Sequence, residues 1–266
     1  MPELFGSDAF TPKDVAERVR GVCVVKARLP LLSLSMLAIL AGAFIGLGSM
    51  FYTIVVSDAQ LLGFAGSRVL GGFVFSMGLI LVVVAGAELF TGNNLLAMAW
   101  ADGCLTTGDV MRNWIVTCAG NFVGAAGLAL LVWLSGHQSL NGGAVARAAL
   151  DIAAAKAALP VAEAFFRGVL CNVLVCMAIW MAMAGRSVVD KAVAIVFPIT
   201  AFVAAGFEHS IANMYFFPFA MLLGSPVGWA DFARNLAPVI AGNLVGGSVL
   251  VALVYYVIYI RPERRG

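Results

Sequence analysis

Charge is what this sequence has least of. Lysine and arginine together number 16, and aspartate and glutamate 14, in 266 residues; 62% of the chain is hydrophobic and mean hydropathy is +0.99. A soluble globule of this size does not have that balance. Histidine is scarcer still, with His137 and His209 alone. The five cysteines (Cys23, Cys104, Cys118, Cys171, Cys176) form no CxxC pair and have no histidine nearby. They read as small apolar fillers, with no metal and no cofactor expected. A net charge of +2 without a basic cluster gives nucleic acid nothing to grip. No cleavable signal peptide is visible. The first 28 residues are polar, and FTPKDVAERVR reads as a short amphipathic surface helix starting near Thr11-Pro12.

What is abundant is long apolar sequence. Six blocks stand out: 29–57, 69–101, 113–146, 168–185, 192–230 and 235–260. A run of about 18 apolar residues is enough to mark a membrane-spanning helix. The expectation is an all-α membrane protein, with no room for a separate soluble domain. Six spans put both termini on one side. Lys13, Arg18, Arg20, Lys26, Arg28, Arg112, Arg186, Lys191, Arg261, Arg264 and Arg265 fall on that side; Arg68, Arg147, Lys156, Arg167 and Arg234 fall on the other. The excess of positive charge predicts cytoplasmic termini in a cell (inner) membrane.

The chain repeats itself. GAELFTGNN (86–94) matches GFEHSIANM (206–214) at an offset of 120, pairing Gly86 with Gly206, Glu88 with Glu208 and Asn93 with Asn213. RNWIVTCAGNFVG (112–124) matches RNLAPVIAGNLVG (234–246) at an offset of 122. Two matches at nearly one offset indicate an internal duplication. The first and fourth spans align poorly. Three spans per half invert the second copy against the first, an arrangement that builds pores with a site at the repeat interface. Blocks 69–101 and 192–230 would each run about 50 Å or more as continuous helix, against a hydrocarbon core of about 30 Å. Each is expected to break, at ELFTGNN and EHSIANM. Irregular backbone at that depth has to be buried in protein or line a cavity. The predicted organisation is one membrane domain: an amphipathic segment over 1–28, a first three-helix repeat over 29–135, an outer loop over 136–158, a second repeat over 159–260 and a tail over 261–266. The fold expected is an inverted 3+3 repeat with broken second and fifth helices.

Glu88 and Glu208 sit at matched positions, which favours a structural role, accepting hydrogen bonds from backbone N–H groups freed at a helix break, over a proton relay. His209 is different because its repeat mate is Leu89, so the duplication has become asymmetric at a titratable group placed at a predicted break. Thr91 and Asn213 supply hydrogen-bonding groups from the two breaks, and half-helix N-termini add partial positive charge. Together they suit a small anion with two oxygens, or its conjugate acid. Phe75, Leu79, Leu89, Val175 and Phe202 read by periodicity as ordinary packing residues. The pairs Gly42/Gly46, Gly120/Gly124 and Gly242/Gly246 have the spacing of close helix crossings. Lys26 and Lys156 lie just outside spans on opposite sides, either solvated or drawing anions to a pore mouth.

GFEHSIANM, AGAELFTGNN, CNVLVCMAIWMA and GRSVVDKA, over about residues 13–260, closely resemble the formate/nitrite transporter family. The resemblance implies an aquaporin-like six-span protomer with its own pore, assembled as a homopentamer in the bilayer and passing small weak-acid anions with protons. It implies a central pore histidine at His209 and a partner at Thr91 on the mobile segment Leu89–Thr91. It implies apolar constrictions formed by Phe75, Leu79, Leu89, Phe90, Val175 and Phe202. Asn172 and Asn213 would line the pore, and Lys26 and Lys156 the vestibules. GRSVVDKA and YYVIYIR are closer to formate channels, while AGAFIGLG and FFRGVLCNVLVC are closer to nitrite channels.

The function expected is a channel or transporter for formate, with the anion protonated by His209 or by water that His209 helps acidify, so that it crosses as the neutral acid. A nitrite or hydrosulfide channel is the alternative. An aquaporin-like neutral-solute channel shares the inverted repeat but calls for Asn-Pro-Ala pairs, which the chain lacks. An enzyme is not expected: there is no GxSG turn, and Ser210 directly follows His209, where it cannot take the histidine as its base.

Overall fold

The computed structural model describes residues 9–261. Residues 1–8 of the N-terminal segment and 262–266 of the tail, with Arg264 and Arg265, lie outside the described residues. The described residues form helices and connections, with no strand among them. In chain order these are α1 (Pro12–Ala27), α2 (Leu31–Val56), α3 (Ala59–Ala85), α4 (Leu96–Ala101, entered through a 3₁₀ turn at Gly92–Leu95) and α5 (Thr107–Leu134). Then follow α6 (Ala144–Ala157), α7 (Val161–Ala184), α8 (Val188–Ala205), α9 (Ser210–Leu222) and α10 (Trp229–Leu244), which continues to Ile260 largely as π-helix. Among the described residues six helices are long and apolar enough to cross a membrane: α2, α3, α5, α7, α8 and the α10 continuation.

The two long blocks break where the bilayer requires it. α3 ends on Gly86 at φ 82 and α8 on Gly206 at φ 75, both in the left-handed region that a side chain disfavours. Residues 87–91 and 207–209 then lead into the short half-helices α4 and α9. The residues expected to form a loop, 136–158, contain the 14-residue helix α6. This helix is the repeat mate of α1. α1 covers α4, and α6 covers α9.

The poorly aligning first and fourth spans correspond in space at an offset of 130. Pro30 and Pro160 both precede their helices. The carbonyls of Leu37 and Arg167 accept the N–H of Glu88 and Glu208 respectively, each at 3.2 Å. The duplication therefore covers α1–α5 and α6–α10, with α3 packed on α8 across the axis.

Close helix crossings hold each half together. A Cβ at Gly124 would run into the carbonyl oxygen of Ile39 on α2, and one at Gly242 into that of Phe165 on α7. Gly46 differs, because its nearest neighbour is the Leu128 Cδ2 methyl at 2.7 Å, the end of a flexible side chain. Gly124→Ala has to push backbone apart, whereas Gly46→Ala only has to turn a leucine. Thermal unfolding of the detergent-solubilised protein is expected to show Gly124→Ala costing about 1–3 kcal/mol more than Gly46→Ala.

Candidate functional site

The breaks at 86–91 and 206–209 meet in the middle of the bundle. Asn121 of α5 and Asn243 of α10 hold them. Asn121 donates from Nδ2 to the carbonyls of Ala38 (2.7 Å) and Glu88 (2.9 Å) and accepts the N–H of Phe90 at 2.9 Å. Asn243 repeats this, donating to Gly168 O (2.8 Å) and Glu208 O (3.0 Å) and accepting the N–H of Ser210 at 3.0 Å. One amide side chain thus satisfies two backbone groups freed by each break and ties them to a carbonyl of the neighbouring span, α2 or α7. In a membrane interior, leaving them unpaired would cost several kcal/mol per group. Asn172 of α7 ties the first break to α10, its Nδ2 facing Thr91 O (3.2 Å), Asn94 Oδ1 (2.7 Å) and Asn243 O (2.7 Å). The π turn of the α10 continuation completes this contact: Gly247 lies against Asn172 and Asn94, and Ser248 Oγ donates to Asn94 O.

His209 is the N-cap of α9, and its Nδ1 accepts the N–H of Ala212 at 3.2 Å. A nitrogen that accepts carries no hydrogen, so the neutral ring keeps its hydrogen on Nε2. Nε2 lies 3.1 Å from Thr91 Oγ1 of the other break, so it donates and the hydroxyl accepts. Both residues are buried. Phe202 stacks on the imidazole with centroids 5.8 Å apart, and Phe75 meets Phe202 edge-on at 5.6 Å.

Two cavities approach this contact from opposite ends. One, of about 190 Å³, opens beside α6 and is lined by Phe75, Phe202 and His209 among others. The second, of about 240 Å³, opens beside α1 and reaches Leu89. Thr91, Leu79 and Val175 are fully or almost fully buried and line neither. The two pockets are thus blind ends of one axis, stopped by apolar side chains around a single imidazole–hydroxyl pair.

A family profile described as formate/nitrite transporter matches residues 13–257. The chain belongs to the formate/nitrite transporter family. It is 39% identical over 275 residues to the formate channel FocA of Escherichia coli (strain K12), covering 96% of each chain. It is 36% identical over 250 residues to the formate channel BtFdhC of Bacillus thuringiensis, covering 93% of this chain and 95% of that one. Among solved structures, a pentameric formate channel with formate bound superposes with a TM-score of 0.80 at 36% identity, covering 86% of this chain and 98% of that one. An FNT family ion channel gives 0.84 at 32% identity, covering 92% and 98%.

Behind the breaks of this formate/nitrite transporter lie two matching polar rings. Lys26 Nζ donates to Glu88 Oε1 (2.7 Å), Asn93 Nδ2 to Glu88 Oε2 (2.7 Å) and to Asn113 Oδ1 (2.9 Å), and Asn113 Nδ2 to the carbonyl of Lys26 (3.2 Å). Lys156, Glu208, Asn213 and Asn235 close the second ring at 2.8, 2.7, 2.7 and 3.0 Å in the same order. The carboxylates are therefore taken by a lysine and an asparagine side chain, not by the freed backbone N–H groups expected above. Those N–H groups go to Asn121, Asn243 and neighbouring carbonyls.

The structure brings His209, Thr91, Asn172, Phe75, Leu79, Leu89, Phe90, Val175 and Phe202 into one core. Asn213 sits apart from the His209 face in the Glu208 ring, as its mate Asn93 does at Glu88. Lys26 and Lys156 line the two cavities but are ion-paired. Sequence reasoning passed over Asn121 and Asn243, although both stand in the AGNxVG motif, where only the glycines were given a role.

Proposed function

We propose that the chain is a homopentameric formate channel of the cell membrane, with the α1 mouth cytoplasmic, and that His209 makes its apolar plug passable. One observation carries the reading: the Thr91–His209 hydrogen bond joins the two breaks where the cavities end. The relatives' described activity and the pentameric neighbour support the substrate and the assembly. Moving a bare carboxylate through that plug has a Born cost of up to tens of kcal/mol, most of which vanishes once it is protonated. The anion reaches the α6-side cavity, takes a hydrogen bond from the Nε2–H that otherwise goes to Thr91, gains a proton and crosses as formic acid. Because Nδ1 is occupied by the Ala212 N–H, a second proton on the ring requires it to leave the cap. That supports the route in which cavity water delivers the proton and the neutral imidazole holds the anion in place.

The test is flux into proteoliposomes with formate, nitrite and hydrosulfide compared across external pH. Formate influx is expected to rise as external pH falls and to acidify the lumen with each molecule carried. Influx without luminal acidification would overturn acid co-transport. Faster nitrite than formate at every pH would overturn the substrate assignment alone.

A further inference from the structure

Three residues that line the α6-side cavity, His209, Arg167 and Arg68, carry charge or a titratable ring where their repeat mates are apolar. Leu89 corresponds to His209. Leu37 corresponds to Arg167, since their carbonyls receive the same hydrogen bond from the paired glutamates. Val188 corresponds to Arg68 at the offset of 120 that also pairs Gly86 with Gly206. The α1-side cavity carries Lys26 against Glu88, and their charges cancel. The α6-side cavity carries Arg68, Lys156 and Arg167 against Glu208. Lys156 is held by Glu208 in a largely buried pair, which leaves the arginines as its surplus charge.

Neither arginine is neutralised inside the cavity. Arg68 forms no ion pair among the described residues. It is fixed in place: Nε donates to Ala204 O at 2.9 Å, and Nη2 lies so close over Gly206 that a Cβ there would come within 2.6 Å. That sets the guanidinium at the break itself, two residues before Glu208 and three before His209, with Tyr52 on the same wall. Arg167 pairs with Glu163 one helical turn away, but both side chains are about half exposed, at 41% and 52%. Such a pair lets go of its cation readily.

We infer that Arg68 and Arg167 form a loading site for a small monovalent carboxylate in the α6-side cavity, so that the anion is held beside His209 before it is protonated. The inference deepens the pore reading above and rests on it. A guanidinium presents a planar fork that matches a carboxylate's two oxygens. No arginine lines the α1-side cavity, so the pore should saturate at different concentrations from its two faces.

The test measures formate influx against concentration from each face, in right-side-out and inverted membrane vesicles, at about 0.1 M and about 1 M salt, where the screening length shrinks from about 10 Å to about 3 Å. Arg167→Leu and Arg68→Met are each expected to raise the half-saturating concentration from the α6 face about two- to tenfold at low salt. They are expected to leave that from the α1 face unchanged, and the gap from wild type to close at high salt. A shift equal from both faces, one that persists at about 1 M salt, or no shift overturns the loading site. If Arg68→Met does not assemble, the outward-lying Arg167→Leu carries the test. Failure of the pore reading looks different: His209 variants would conduct normally while the arginine shift remained.

Discussion

Lys156→Met is expected to destabilise the assembled protein by roughly 3–5 kcal/mol, the range for stripping the partner from a buried charge. Glu208 is 4% exposed, and the two protein groups on its carboxylate are Lys156 at 2.8 Å and Asn213 at 2.7 Å. Methionine keeps the length and apolar stem of lysine, so packing survives while the buried carboxylate keeps one amide as its only direct partner among the described residues. Adding Glu208→Gln removes the charge and keeps an acceptor for Asn213. The double variant is expected to recover most of the loss. Thermal unfolding of the purified protein in detergent reads both. A Lys156→Met protein as stable as wild type would mean that Glu208 does not depend on the lysine.

The twin ring sharpens this expectation. Lys26 makes the same contact with Glu88 at 2.7 Å, but its side chain is 27% exposed against 15% for Lys156. Water can replace more of what Lys26 supplies. Lys26→Met is therefore expected to cost less than Lys156→Met, with the ranking read in the same assay. Removal of surface pairs such as Arg167–Glu163 contributes at most about 1 kcal/mol, so the ranking separates burial from mere proximity.

Much of this was legible in the sequence, for a reason external to it. A bilayer of fixed thickness forces blocks 69–101 and 192–230 to break, and the glycine- and asparagine-rich stretches were the only places that tolerate a break. The paired glutamates and asparagines followed because their offset is constant at 120. Their pairing with Lys26 and Lys156 did not. Lys26 and Lys156 correspond at 130, in segments whose similarity has decayed, and they lie 62 and 52 residues from the carboxylates they meet. Helix α6 was hidden for a different reason. AVARAALDIAAAKA is too polar for a span, so a search for hydrophobic blocks steps over it, although its alanine content favours helix. The protonation pattern of His209 was not legible at all. It depends on which backbone N–H the break aims at Nδ1, and that is settled only by the tertiary path of residues 206–212.

That geometry separates two roles of His209, and substitutions at this position are expected to have the largest effect on transport. His209→Phe removes both the cap on Ala212 and the hydrogen offered to the anion. His209→Asn removes the imidazole but leaves one of the best N-capping side chains. The asparagine variant is therefore expected to assemble and unfold like wild type, within about 1 kcal/mol. Both variants are expected to carry formic acid about 10²–10³-fold more slowly, the scale on which one positioned hydrogen-bond donor to an oxyanion contributes. Initial influx into proteoliposomes, with luminal pH followed over an external range of about pH 5 to 8, measures it. The other imidazole does not confuse the result. His137 lies in the connection between α5 and α6, outside the spans and away from both breaks, and partial burial lowers its pKa from the ordinary histidine value. A His137→Ala control is expected to keep the wild-type profile. Wild-type pH dependence in both His209 variants would mean that the imidazole takes no part in protonation, and the plug would have to be crossed by another route.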